Sequence, residues 1–104
     1  MALAMKFDVE TFTGKNDFGL WRVKMRALLV QQELAEALEG ANLLPTSMSE
    51  RDKKVALEKA HSAIILSLGD KVLREVLKEK SAVEVWLKLE SLYMAKSLAL
   101  HDRK

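Results

Sequence analysis

The sequence predicts an all-α domain: a compact bundle of four main helices after a short extended amino-terminal segment. Three observations predict it. Apolar residues recur at helical spacing over most of the chain. Glycine and proline number only four and one, and they fall where helices start or stop. Two of the helical stretches open on a Ser-x-x-Glu capping signal. The chain has 104 residues, 49% of them hydrophobic. That suffices for a single domain over 1–104, since a chain of this size buries roughly 60 to 70% of the surface its unfolded form exposes.

Residues Lys6 to Phe12 alternate polar and apolar side chains, the period-2 pattern of a short extended segment. Thr13 to Asn16 form a turn, after which Asn16 or Asp17 is placed to cap the first helix. That helix is expected over about 17–38 and is apolar on two sides. Phe18, Trp21, Met25, Leu28 and Leu29 line one face; Leu20, Val23, Ala27, Val30, Leu34 and Leu38 line the other. Gly40 is placed to end it, and residues 41–46, with Pro45, read as a loop.

Ser47 and Glu50 form a capping box for a second helix over about 48–68, with Leu57, Ala60, Ile64 and Leu68 inward and Ile65 and Leu66 widening the apolar surface. Gly69 ends it. Asp70 is placed to cap a third helix, 70–79, that carries Val72, Leu73, Val76 and Leu77 inward. Ser81 and Glu84 repeat the capping box, so the fourth helix, 82–97, is a separate element. Its main face is Val85, Trp86, Leu89, Leu92 and Tyr93; Val83, Leu87, Met94 and Leu98 make a second stripe.

Composition excludes much chemistry. The 17 Lys and Arg against 15 Asp and Glu leave a formal charge of +2, too small for a dedicated nucleic-acid binder. With no cysteine there is no disulfide framework, thiolate zinc site or cysteine nucleophile. No apolar run approaches the ~20 residues of a membrane span, so a soluble, cytoplasmic domain without membrane partners is expected. His61 follows Glu58 at Glu-x-x-His spacing, but a helical di-metal site needs a second copy of that pair. Gly14 and Gly19 fit no phosphate-cradling loop. Catalysis, a cofactor, a metal and a small-molecule substrate are therefore not expected.

Lys15, Arg22 and Arg26, with Lys24, could make weak contact with RNA, although charges outside apolar stripes are ordinarily a solvated face. Trp21, Trp86 and Tyr93 could stack bases; their spacing with Met25, Leu89 and Leu92 favours core packing. The surplus stripes leave two readings. Either the helices cover each other's second faces, or Val83, Leu87, Met94 and Leu98, or Val23, Val30 and Leu34, are available to another chain.

Two segments together resemble a known family. Phe12-Thr13-Gly14-Lys15-Asn16-Asp17-Phe18 followed by Trp21 is similar to the opening of the gag polyprotein of copia-type LTR retrotransposons, especially the plant members. Val85-Trp86-Leu87-Lys88-Leu89-Glu90-Ser91-Leu92-Tyr93 resembles the family's W-x-x-L-E-S-L-Y segment. The resemblance runs from about Phe7 to Leu98. It implies a non-enzymatic, capsid-type helical domain, the amino-terminal lobe, whose copies associate with themselves or related gag chains into a virus-like particle around element RNA. Gly14 and Asn16 would form the turn before the first helix; Trp21, Trp86, Leu89, Leu92 and Tyr93 would hold the core. Two departures matter. Glu33 stands where the family usually has Gly, so the first helix is expected to run on to Leu38. Beyond Leu98 the family continues into another helix where this chain has Ala99 to Lys104, which implies a missing second lobe and a truncated copy. A second functional class follows from that: a domesticated module that binds intact gag or inhibits its assembly.

Overall fold

The computed structural model of the chain describes residues 9–39, 44 and 46–94. Among these are four α-helices: α1 Phe18–Gln31, α2 Glu50–Leu66, α3 Asp70–Val76 and α4 Ala82–Leu89. A 3-10 turn, Ala35–Glu39, separates α1 from α2, and a π turn, Glu90–Met94, continues α4. The all-α class expected from periodicity is the one observed. Lys6 to Asp8, Gly40, Pro45 and the end of the expected fourth helix, 95–97, lie outside the described residues.

In the described part of the amino-terminal segment, residues 9–12, there is one backbone bridge and no strand. Phe12 pairs in parallel with Leu68: its N–H donates to the Ser67 carbonyl and its own carbonyl accepts from Gly69, each at 2.9 Å. Asn16 then ties the turn, accepting from the Thr13 N–H at 2.9 Å and donating to the Thr11 carbonyl at 3.0 Å. Gly14 takes φ +92° there, a conformation that costs a side-chain-bearing residue. Asp17 is the cap, its carboxylate accepting from the Leu20 N–H.

α1 stops at Gln31, seven residues short of the expected end at Leu38. Glu33 adopts φ +61°, its N–H donates to the Val30 carbonyl, and the Leu34 N–H donates to the Leu29 carbonyl at 2.7 Å. These two bonds are the Schellman arrangement that ends helices, with glutamate in the position glycine normally takes. Leu29 and Leu34 are both buried in the core. Burial of Leu34, and of Ala37 and Leu38 in the 3-10 turn, offsets the strain at Glu33, so the chain bends despite lacking glycine.

Three further boundaries differ from expectation. Ser49, not Ser47, caps α2, accepting from the Asp52 N–H, a choice that puts Glu50 and Asp52 in the first turn, where the helix dipole favours acidic residues. Its buried face is Ala56, Ala60 and Ile64; Leu57 is half-buried, and Leu68 lies beyond the helix, held by Phe12. Gly69 rather than Asp70 is the N-cap of α3, without a side-chain bond. α3 closes at Val76 with Val72 and Val76 buried and Leu77 exposed. The Ser81 cap of α4 is as expected, accepting from Glu84 N–H at 3.1 Å; the Glu84 carboxylate reaches back to the Lys80 N–H instead of Ser81.

The core gathers on Phe12, Met25, Leu29, Ile64, Val72, Val76, Val85 and Leu89, all fully buried. Its aromatic end runs from Tyr93 through Phe12, at 4.9 Å between ring centroids, to Phe18 and Trp21 at 5.2 and 5.6 Å. Trp86 continues it 6.0 Å from Trp21. Edge-on and tilted rings at such separations are the favoured aromatic packings.

Candidate interaction surface

Four side chains on α1 face away from the core. Leu20, Val23, Ala27 and Val30 are exposed, Val23 to 62%, while Phe18, Trp21, Met25 and Leu29 on the other side are buried. The outward spacing is 3, 4 and 3 residues. That is the a/d spacing of a helix-pairing seam, narrower than the stripe a helix buries in its own core. Lys24 and Arg26 flank the ridge, both exposed, and neither makes an ion pair among the described residues. Leu34 and Leu38, expected to extend this stripe, are buried because the chain has already turned at Glu33.

On α4 the expected second face divides. Leu87 is 57% exposed, Val83 is half-buried, and Met94 packs against the core. Leu98 lies outside the described residues. Leu66 and Leu77 are exposed as well, 82% and 66%, although helical spacing alone had assigned Leu77 inward.

Between α1 and α2 runs an open groove of about 610 Å³, lined by Leu28, Val55, Glu58, Ala63, Leu66 and Ser67 among others. Its walls are mainly apolar.

Of the four cations that could meet RNA, Lys15, Lys24 and Arg26 are exposed and Arg22 is engaged within the domain. The Arg22 guanidinium binds Glu90 at 2.6 Å and lies 5.6 Å from the Trp86 ring centroid. Trp21 and Trp86 are only 3% and 6% exposed, so neither offers a face to a base. Leu92 and Tyr93 are half-buried. The Tyr93 hydroxyl donates to the Glu75 carboxylate. Burial first, then that bond and the carboxylate's charge, push its pKa up to about 12. No sequence signal announced the Arg22–Glu90 or Tyr93–Glu75 contacts, since each joins residues far apart in the chain. Among the described residues no three His, Cys, Asp or Glu side chains gather to hold a metal. No helix there is long and apolar enough to cross a membrane.

The sequence from Met25 onward decides the family. Residues 25–101 match the profile of the gag-polypeptide of LTR copia-type. The chain belongs to that family. This gag domain is also 40% identical, over 94 residues, to the retrovirus-related Pol polyprotein from transposon TNT 1-94 of Nicotiana tabacum. That alignment covers 90% of the gag domain and 7% of the tobacco polyprotein, so the chain spans a small part of its relative. No solved structure matches the gag domain. The motif residues of the resemblance have these places in the fold: Phe12, Trp21, Met25, Trp86 and Leu89 in the core, Gly14 and Asn16 in the turn before α1, and Glu90 in the ion pair with Arg22.

Proposed function

We propose that this gag domain is a structural, non-catalytic unit whose copies associate in the cytoplasm toward the shell of a virus-like particle. The observation that carries the reading is the uncovered a/d ridge of α1. Monomeric surfaces seldom leave such a seam to water, and the membership of a gag family supplies the reason for a self-associating surface.

The flanking charges indicate how copies meet. Two α1 ridges paired antiparallel would set Lys24 and Arg26 against their own counterparts, and like charges beside a helix seam are unfavourable. A heterologous contact avoids this: the α1 ridge of one copy against the Val83 and Leu87 face of α4 in the next. Such head-to-tail contacts generate rings or open arrays, the arrangement a shell requires. The ridge is small beside the roughly 1,200 to 2,000 Å² of a stable interface. Each contact is accordingly weak, and many together hold the assembly. Arg22 being engaged by Glu90, direct RNA contact is confined to Lys15, Lys24 and Arg26 and is secondary in this reading.

Light scattering over a concentration series tests it. Val23→Lys and Leu87→Lys should each leave the domain monomeric where the parent associates, and an equimolar mixture of the two variants should form dimers through the one interface still intact. A parent that stays strictly monomeric at high micromolar concentration defeats autonomous assembly. Association that persists in both variants defeats the assignment of these faces.

A further inference from the structure

The two flanks of the α1 ridge are unlike. With about 100° of turn per residue, Arg22 and Arg26 fall to one side of the line through Leu20, Val23, Ala27 and Val30, and Lys24 falls to the other. On the Arg26 side the surface is hollow. A trough of about 360 Å³ is lined by Arg22, Val23, Arg26, Ala27, Val30 and Gln31, and at Val30 it meets a second hollow of about 260 Å³ with Glu33, Ala35 and Glu36. The recess beside Leu20 and Lys24 holds only about 30 Å³. The trough is thus cationic at one end, apolar along its length and acidic at the other. Arg26, Glu33 and Glu36 are exposed and make no ion pair among the described residues.

The outward face of α4 carries the complementary order. Glu84 and Lys88, one turn apart, flank the Val83–Leu87 line on the same side, and both are exposed. One Glu84 oxygen accepts from the Lys80 N–H; Lys88 makes no ion pair among the described residues.

Resting on the head-to-tail contact of α1 with α4, we infer that α4 of one copy lies in the α1 trough of the next with the two helices running in the same direction, Glu84 against Arg26 and Lys88 against Glu33 and Glu36. Helix geometry selects that direction. Viewed from the amino terminus, Arg22 and Arg26 lie anticlockwise of the α1 ridge, and Glu84 and Lys88 lie clockwise of the Val83–Leu87 line. Facing helices that run the same way bring those two flanks together; helices that run oppositely bring Glu84 and Lys88 to the Lys24 side, where the recess is smallest. The register follows. With Glu84 level with Arg26, Val83 falls between Val23 and Ala27, and Leu87 falls between Ala27 and Val30, the knob-in-hole placement of paired helices. Lys88 is then level with Val30, about 5 Å of helical rise short of Glu33 at ~1.5 Å per residue, within reach of its four-carbon stem.

The test uses full chains that can make a single contact: Leu87→Lys keeps the α1 trough, and Val23→Lys keeps the α4 face. Their heterodimer is titrated at low salt, where charges at the edge of an interface act most strongly. In the first chain, Arg26→Glu and Glu36→Lys should each weaken it about fivefold or more, about 1 kcal/mol, while Lys24→Glu should change it less than about twofold. Lys88→Glu in the second chain should weaken it likewise, and pairing that variant with Glu36→Lys should restore affinity. Direction is read separately. The chain has no cysteine, so Ser91→Cys at an exposed position carries a nitroxide on the α4 partner, and amide resonances of the isotope-labelled α1 partner are followed by NMR. Broadening is expected at Val30, Gln31 and Ala35. Broadening at Asp17 to Leu20 instead would overturn the inference and leave the head-to-tail contact standing, as would a heterodimer indifferent to Arg26→Glu, Glu36→Lys and Lys88→Glu. No heterodimer at all would defeat the head-to-tail contact itself, and the inference with it.

Discussion

Arg22 on α1 and Glu90 at the start of the π turn share a single carboxylate oxygen: the guanidinium Nη2 and Nε lie 2.6 and 2.7 Å from Glu90 Oε2. The same guanidinium sits beside Trp86. The pair joins elements 68 residues apart in the chain at the place where α4 changes to a wider helical turn. Both side chains keep partial exposure, 34% and 26%, so the attraction is screened by water and salt.

Glu90→Gln should therefore destabilise the domain by about 1 kcal/mol, a charge-assisted bond at a half-exposed site. Urea unfolding gives the value, and added salt should shrink it. A double-mutant cycle with Arg22→Gln isolates the pair; zero coupling would show that it contributes nothing.

Glu33→Gly should stabilise the domain by about 0.5 to 1 kcal/mol. The position has φ +61°, where glycine is the residue without a side-chain penalty. Glu33→Val should do the opposite, because a β-branched side chain tolerates that backbone least. Thermal melting distinguishes the two directions. If Glu33→Gly lowers the melting temperature, the bend after Gln31 does not carry the strain described.

Gly14→Ala should cost about 1 to 3 kcal/mol. Its φ is +92°, and a Cβ there would lie 3.3 Å from Val72 Cγ2 and 3.6 Å from the Tyr93 hydroxyl. Gly69 provides the contrast. Its φ is −71° and an added Cβ meets nothing closer than 3.5 Å, so Gly69→Ala should cost less than about 1 kcal/mol, the difference between these residues as a helix cap. Denaturation midpoints of the two variants test the difference.

The single tyrosine should titrate late. Tyr93 ionises near 12 in the folded domain and at about 10 in an unfolded chain. The folded state thus binds its proton more tightly than the unfolded state. The stability this contributes is fully present below pH 10 and is lost as pH rises from 10 through 12. Phenolate absorbance should show a midpoint near 12, falling part of the way toward 10 in Glu75→Gln. The remainder persists because burial is the largest cause of the shift.

Much of the fold was legible in the residues themselves where the signal was local. The Ser81 cap, a cap at Asn16 or Asp17, the turn through Gly14 and Asn16 and the burial of Val85, Trp86 and Leu89 all follow from spacing within a few residues; the structure chose Asp17. The family was legible too, in the motifs around Trp21 and Trp86. The choice of Ser49 over Ser47 was not, since both serines precede an acidic residue at the same spacing.

Periodicity established that α1 and α4 are apolar on more than one side. It did not establish which sides are covered. Leu20, Val23 and Val30 lie in water while Leu34 and Leu38 lie in the core, because the chain turns at Glu33, and that turn is favoured by packing on α2 and α4 that no local spacing reports. Likewise Leu66 and Leu77 continue helical stripes in the chain yet stay mostly exposed. Helix formation depends on residues three and four apart, which the chain order contains; burial depends on the position of other helices, which only their packing sets.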